Sequence, residues 1–142
     1  MADTLKQRPV YRNIHITQLR HYRLPAPGWV SILHRISGAL LFLLLPFVIW
    51  MFDTSVTTQI SYDRFTSVFN VGAGALPAWF IKLVCLGLIW AYLHHSIAGV
   101  RHLWMDMTHS VSKEQGRGSA VITLGLSLLL TAALGLKLFG LF

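Results

Sequence analysis

Three long apolar runs dominate the pattern of hydrophobic and polar positions along this chain. They extend over about residues 29–52, 78–104 and 120–142, and charged residues are rare within them. An α-helix needs about 20 mostly apolar residues to cross a bilayer, so each run is long enough to span it. The pattern therefore predicts an all-α membrane protein with three transmembrane helices.

The composition supports a membrane protein and argues against a water-soluble one. Of the 142 residues, 54% are hydrophobic and only 12% are charged, whereas soluble domains carry about 25% charged residues. Such a chain has too little polar surface to cover a globule in water. Three spans also leave little room for a separate soluble domain, so residues 1–142 are expected to form a single membrane-anchor domain.

The net charge of +7 is unevenly distributed and indicates how the spans are oriented. Residues 1–28 form a basic arm, and the connection between the second and third spans is also basic, whereas residues 53–77 are not. Positive residues accumulate in cytoplasmic connections. The N-terminal arm is therefore predicted to be cytoplasmic and the C-terminus to lie on the opposite side. No basic stripe with interleaved aromatic residues follows a soluble scaffold, so nucleic acid is not an expected partner.

Two shorter patterns predict local structure between and within the spans. Tyr62, Phe65 and Phe69 are spaced three and four residues apart, which favours a short amphipathic helix in the first connection. The stretch HSVSKEQGRGS is typical of a polar turn before the third span. Within that span, small and hydroxyl residues recur every four positions, and such a row favours close helix packing. The row comprises Thr123, Ser127, Thr131 and Gly135.

Polar side chains collect at the cytoplasmic ends of the first two spans. Ser31, Arg35 and Gly38 share one helical face of the first span, since they are four and three residues apart. The second span carries a similar row, which comprises His95, Gly99, His102 and Asp106. Because the second span runs back toward the cytoplasm, both groups are expected at similar depth.

His95 is the deepest ionisable residue of this group, and ionisable residues within a membrane are functional candidates. Its neighbours one turn away, Ala91 and Gly99, are small and predict space beside the ring for a flat ligand. Neutral imidazole is a common metal ligand, but a histidine packed against a neighbouring helix explains the same pattern. His102 lies two turns away and cannot share an iron atom with His95. A haem held by two histidines would need its second ligand from another chain, since within this one only His34 is eligible and it lies nearer the interface.

Arg35 requires an anion or another acceptor near the first span. It has no carboxylate three or four residues away. A haem propionate, a quinone oxygen or a phospholipid headgroup would each satisfy a guanidinium in this position. Two hypotheses of other classes remain open at this stage: a small metal or proton carrier that uses His94, His95 and Asp106, and a purely structural anchor.

Two motifs on adjacent spans resemble a known family. SILHRISG on the first span and HSIAGVRHLWMD on the second, with QRPV in the basic arm, are similar to the cytochrome b membrane-anchor subunits of succinate dehydrogenase. The resemblance implies a subunit that does not itself oxidise succinate. It implies three partner subunits: a flavoprotein, an iron–sulfur protein and a sister anchor with three spans. The two anchors would hold one haem b and form a site that reduces ubiquinone.

The resemblance also assigns roles by position. His95 matches the axial ligand of the haem iron, with the other ligand on the sister anchor. His34 and Arg35 match residues beside the haem propionates, and Ser31 and Arg35 match residues that line the quinone pocket. His94 is a departure from the family pattern, and we expect it to contact lipid or the sister subunit.

Reaction direction and cellular location are the last expectations. An anchor of a quinol-oxidising fumarate reductase would have the same fold, so it is the alternative within the family. QRPV begins at residue 7 and leaves no room for a presequence, which favours a bacterial inner membrane with the C-terminus in the periplasm.

Overall fold

The computed structural model describes residues 15–19 and 22–141, and within them the chain is helical. Most of the predicted basic arm lies outside the described residues. Six helices follow one another in these described residues: α1 Ile16–Leu19, α2 Ala26–Leu43, α3 Leu45–Val56, α4 Gln59–Val71, α5 Ala78–Thr108 and α6 Lys113–Leu138. In the described part of the chain, the extended backbone amounts to one bridge between Ala73 and Leu76.

The first apolar run forms two helices where one continuous helix was predicted. α2 ends at Leu43 and α3 begins at Leu45, with φ −93° and ψ 3° at Leu44 between them. Pro46 explains the break, because its nitrogen cannot donate a hydrogen bond and its ring collides with the carbonyl of the residue four positions earlier. α2 also begins earlier than expected, since Pro27 in its first turn is compatible with a helix start.

α5 and α6 are joined by a shorter turn than the sequence suggested. α5 extends over 31 residues, about 46 Å at 1.5 Å per residue, and is followed by His109 in the left-handed conformation. α6 then begins at Lys113, seven residues before the predicted span. A capping box explains this start, because the Ser112 side chain accepts from the Gln115 N–H and the Gln115 side chain accepts from the Ser112 N–H. Much of the predicted polar turn is therefore the first two turns of α6.

The amphipathic helix predicted for the first connection is present as α4, which begins at a Thr58–Ser61 capping box. A cavity of about 510 Å³ lies between α3, α4 and the start of α5, and Phe47, Phe65 and Ile81 are among its lining residues. Ile81 is 14 residues from His95 on α5, about 21 Å along the helix axis. The cavity is thus separate from the depth at which the polar side chains of α2 and α5 collect.

α2, α5 and α6 pack together through small side chains. Val30, Ala98 and Ala120 are fully buried where the three helices meet. The predicted packing row on α6 is confirmed, since Thr123, Ser127, Thr131 and Gly135 are all buried. Small residues allow close approach of helices in a membrane, where apolar burial alone does not drive association.

The outer surface is strongly apolar. Large side chains such as Phe42 and Leu103 are 76% and 71% exposed, which is unfavourable in water but suits hydrocarbon or a partner subunit. α2, α5 and α6 are each long and apolar enough to cross a membrane. The prediction of three spanning helices in an all-α membrane protein is confirmed.

Candidate functional site

Two histidines from neighbouring spans meet between α2 and α5. The rings of His34 and His95 are stacked, with centroids 4.2 Å apart and planes inclined by 16°. The His102 ring also lies near His34, with a centroid distance of 5.3 Å and an angle of 47°. The sequence expectation that the polar groups of the two spans lie at similar depth agrees with these contacts of His34 with His95 and His102.

The hydrogen bond of His95 determines which of its nitrogens is available. Nδ1 of His95 lies 3.1 Å from the backbone carbonyl oxygen of His34, and a carbonyl only accepts, so Nδ1 donates. The Ser37 hydroxyl donates to the same carbonyl at 3.0 Å and lies 3.4 Å from Nδ1. In the neutral ring Nε2 then carries the lone pair, and this is the arrangement in which metal-binding histidines are held.

Glycines allow these rings to lie between the helices. A Cβ atom added to Gly38 would lie 2.7 Å from Cε1 of His95, so a larger residue would require that ring to move. A Cβ added to Gly99 would lie 3.9 Å from Nε2 of His34. The sequence predicted open space for a flat ligand beside Ala91 and Gly99; in the structure Ala91 is buried and the His34 ring lies next to Gly99.

His94 is placed differently from the prediction. It is fully buried, its Nδ1 lies 3.2 Å from the Ser127 hydroxyl on α6, and its ring stacks on Trp90 with centroids 5.4 Å apart. The expectation that His94 contacts lipid or a sister subunit is therefore wrong. The reason is geometric: consecutive helical residues point about 100° apart, and that rotation directs His94 toward α6 while His95 faces α2.

Arg101, near the C-terminal end of α5, is also held by α6 and is buried. It is 8% exposed. Its Nε donates to the Ser119 hydroxyl at 2.9 Å and its Nη2 to the Gly116 carbonyl at 3.2 Å. These donors are satisfied by groups that the polar first turns of α6 supply, so its role in this chain is to join α5 to α6.

Ser31 and Arg35 lie apart from the histidine contact. Ser31 is partly buried and Arg35 is exposed, although His34 beside it faces α5. The structure thus brings His34 and His95 together and leaves the guanidinium of Arg35 on the outer surface of α2. Ser37, whose hydroxyl joins the His34–His95 contact, was not predicted; its place between His34 and Gly38 in the first motif was the available signal.

The described residues include no group of three or more histidine, cysteine, aspartate or glutamate side chains suited to a metal ion. The hypothesis of a metal or proton carrier requires His94, His95 and Asp106 to form a continuous row. His94 and His95 face different helices, which does not match such a row. The arrangement supplies single imidazole nitrogens at helix contacts.

These features define a multi-pass helical membrane protein with a histidine contact between two spans. The family model described as succinate dehydrogenase/fumarate reductase transmembrane subunit matches residues 4–134, and the chain belongs to this family. A succinate dehydrogenase cytochrome b556 subunit of Paracoccus denitrificans is 29% identical over 121 residues, 84% of each chain. Another from Coxiella burnetii is 32% identical over 114 residues, 80% of this chain and 82% of that one.

The resemblance of the two histidine motifs is therefore confirmed. The chain is a transmembrane cytochrome b subunit of the succinate dehydrogenase/fumarate reductase type, and it acts within a complex with other subunits. Its membrane location follows from both the family and the three apolar helices.

Proposed function

We propose that this chain binds one b-type haem through Nε2 of His95, with the other axial ligand on a sister anchor subunit, and contributes to a site that reduces ubiquinone with electrons from succinate oxidation. The observation that carries the haem assignment is the bond from Nδ1 of His95 to the His34 carbonyl. It fixes the proton on Nδ1 and leaves Nε2 to bind iron.

The residues present fit a haem on three counts. The His34 ring covers a face of His95, whereas a metal binds in the ring plane, so stacking leaves the Nε2 lone pair clear. Gly38 allows α2 to approach the ring closely, and a larger residue there would displace it. The described histidines near His95 do not provide an opposite ligand, because His34 is stacked parallel to it, His102 is two turns away and His94 faces α6. A partner's ligand completes the centre.

A bound b-type haem would supply a one-electron carrier whose potential depends on axial ligands and surrounding hydrogen bonds. In this proposal His34 and Arg35 lie on the propionate side, where a guanidinium forms charge-assisted, bidentate hydrogen bonds with a carboxylate. The exposed position of Arg35 supports this role, since its donors are turned outward from the helix bundle.

Ser31 and Arg35 are proposed to bind the quinone. They lie one turn apart on α2, so a hydroxyl and a guanidinium can both donate to one carbonyl oxygen. Such donors stabilise the negative charge that develops when a quinone is reduced. The exposed flank of α2 requires a second wall, which the sister anchor or the iron–sulfur subunit would provide.

The remaining proposals concern assembly and direction. Residues 1–142 serve as one membrane-anchor domain in a complex with a flavoprotein, an iron–sulfur protein and a sister three-span anchor. We place the complex in a bacterial inner membrane, with the N-terminus cytoplasmic and the C-terminus periplasmic. The family includes fumarate reductase anchors, but both relatives described above are succinate dehydrogenase subunits, which favours succinate oxidation.

An absorption spectrum of the purified complex tests the central proposal. The chain is co-expressed with its three partner subunits, and the reduced-minus-oxidised spectrum is recorded. We expect the bands of a b-type haem at one haem per flavin. A complex that contains flavin and iron–sulfur clusters but shows no haem bands would contradict the proposal, as would haem-free metal or proton flux through vesicles that contain this chain alone.

Replacing Gly38 with alanine is expected to weaken haem binding. The new methyl group would lie 2.7 Å from Cε1 and 3.1 Å from Nδ1 of His95, so the ring must move and its bond to the His34 carbonyl is strained. Loss of such a supporting interaction lowers metal affinity by roughly 10- to 100-fold. The readout is the rate at which the purified complex transfers haem to an excess of apomyoglobin.

Gly125→Ala is the matched control, because a Cβ at Gly125 on α6 has no atom within 4 Å. It should release haem at the wild-type rate. Equal release rates for Gly38→Ala and wild type would show that the Gly38 contact does not position the ligand.

A further inference from the structure

We propose that His94 is a positioning residue for the iron ligand beside it: by bonding to Ser127, it sets the rotation of α5 and hence the direction of His95. The inference rests on the proposed role of His95 as a haem ligand. The supporting observation is that two consecutive histidines bond to different helices: His94 to α6 and His95 to α2.

The bond between His94 and Ser127 is buried and directional. Both residues are fully buried. The Ser127 hydroxyl donates to the Leu124 carbonyl at 3.0 Å, so its oxygen can accept from the Nδ1–H of His94 at 3.2 Å. A hydrogen bond in such apolar surroundings is electrostatically stronger than one in water, and it restricts the ring to one orientation.

The position of His94 is energetically unfavourable for one of its ring nitrogens. Its Nε2 is buried and forms no close hydrogen bond with the described residues, although the Val30 backbone on α2 also lies near the ring. An unsatisfied buried nitrogen is unfavourable, and an apolar side chain of similar size would fill the same space without it. Apolar packing against α6 therefore does not explain a histidine in this position. The hydrogen bond between its Nδ1 and Ser127 does.

Arg101 extends the same attachment toward the cytoplasmic end. It lies seven residues after His94, on the same face of α5, and binds Ser119 and Gly116 of α6. Ala98 lies between them and is fully buried. Hydrogen bonds of His94 and Arg101 thus attach this face of α5 to α6 on either side of the buried Ala98.

A rotation of α5 would change the distance between His95 and the His34 carbonyl on α2. Side chains lie about 5–6 Å from the helix axis, so a rotation of α5 by about 10° displaces them by about 1 Å. That displacement would separate Nδ1 of His95 from the His34 carbonyl, now 3.1 Å away, and would turn Nε2 relative to the haem. A fixed rotation of α5 therefore becomes a fixed ligand direction.

The test compares variants of His94 and Ser127 in the complete four-subunit complex. The readouts are the low-spin haem signal in electron paramagnetic resonance, the haem midpoint potential and the rate of haem transfer to apomyoglobin. His94→Leu should shift the signal and the potential and accelerate haem loss several-fold. His94→Asn, which places a polar atom near the position of Nδ1, should restore most of the wild-type behaviour.

Two further variants separate positioning from packing. Leu88→Ala removes an apolar contact from a buried position of α5; it should lower thermal stability but leave the haem signal and potential unchanged. Ser127→Ala removes the hydroxyl partner of the His94 bond. Its effect and that of His94→Leu should not add in the double variant, because both remove the same interaction.

The outcomes distinguish this inference from the proposed function. A wild-type complex without haem overturns both. A haem-containing wild type whose signal and potential are unchanged in Ser127→Ala and in His94→Leu overturns only the positioning role. An equal shift in Leu88→Ala, or full additivity in the double variant, also overturns it by showing a general packing effect. If His94→Leu does not assemble, Ser127→Ala and His94→Asn still decide the result.

Discussion

The His95→Ala complex should assemble with its flavin and iron–sulfur clusters but without its b-type haem. Alanine removes the only imidazole whose Nδ1 is bonded to the His34 carbonyl in the described part of the chain, and with it the Nε2 lone pair proposed to bind iron. The expected loss exceeds the roughly 10- to 100-fold decrease in affinity that follows removal of a supporting residue around a metal ligand. The reduced-minus-oxidised spectrum, normalised to flavin, measures it.

His102→Ala is the appropriate control for this loss. His102 lies on the same face of α5 and its ring approaches His34, so its removal disturbs the same histidine contact without removing the proposed ligand. The b-type bands should persist in this variant. Retention of haem in His95→Ala, or equal loss in both variants, would contradict the assignment of His95.

Ser31→Ala and Arg35→Ala should each lower ubiquinone reduction while succinate oxidation by a soluble acceptor continues. A hydrogen bond to a charged group contributes about 1.5–3 kcal/mol, and about 1.4 kcal/mol corresponds to a tenfold change. The quinone-dependent turnover of Arg35→Ala is therefore expected to fall by about 10- to 100-fold. The effect of Ser31→Ala should be smaller, because its hydroxyl is neutral.

Both activities are measured on the same preparation, so that their ratio separates quinone chemistry from assembly. Arg117→Ala provides a control, since Arg117 is exposed on the first turns of α6 and belongs to neither proposed site; its ratio should equal that of the wild type. A parallel fall of both activities in Arg35→Ala would mean that this residue stabilises the complex and does not bind quinone.

The observed helices confirm some of the predictions made from local sequence patterns and differ from others. The amphipathic spacing of Tyr62, Phe65 and Phe69 predicted α4, and the small-residue row on α6 predicted its buried face. The break at Leu44 and the start of α6 at Lys113 were missed, although Pro46 and the Ser112–Gln115 capping box are local signals. The predicted span bounds followed the long apolar runs, which do not reflect these shorter local signals.

The site itself was predictable in composition but not in geometry. His34, His95 and Ser31 were identified from two motifs whose spacing places each on a helical face. The stacking of His34 on His95 and the bond from His95 to the His34 carbonyl required the two helices to be placed against each other. Helical periodicity gives the angle between residues of one helix, and it contains no information on the rotation of one helix relative to the next.

By itself, the sequence determined the class of this protein. Apolar runs long enough to cross a bilayer and few charges to interrupt them defined a three-span membrane protein, because these properties depend on local composition and spacing. The resemblance of two paired motifs to a known family indicated which subunit it is. Only the tertiary structure decided that His94 and Arg101 are buried against α6 while His95 faces α2. The physical reason is that these roles depend on how α5 is rotated between two neighbours, which is set by packing and hydrogen bonds across the bundle.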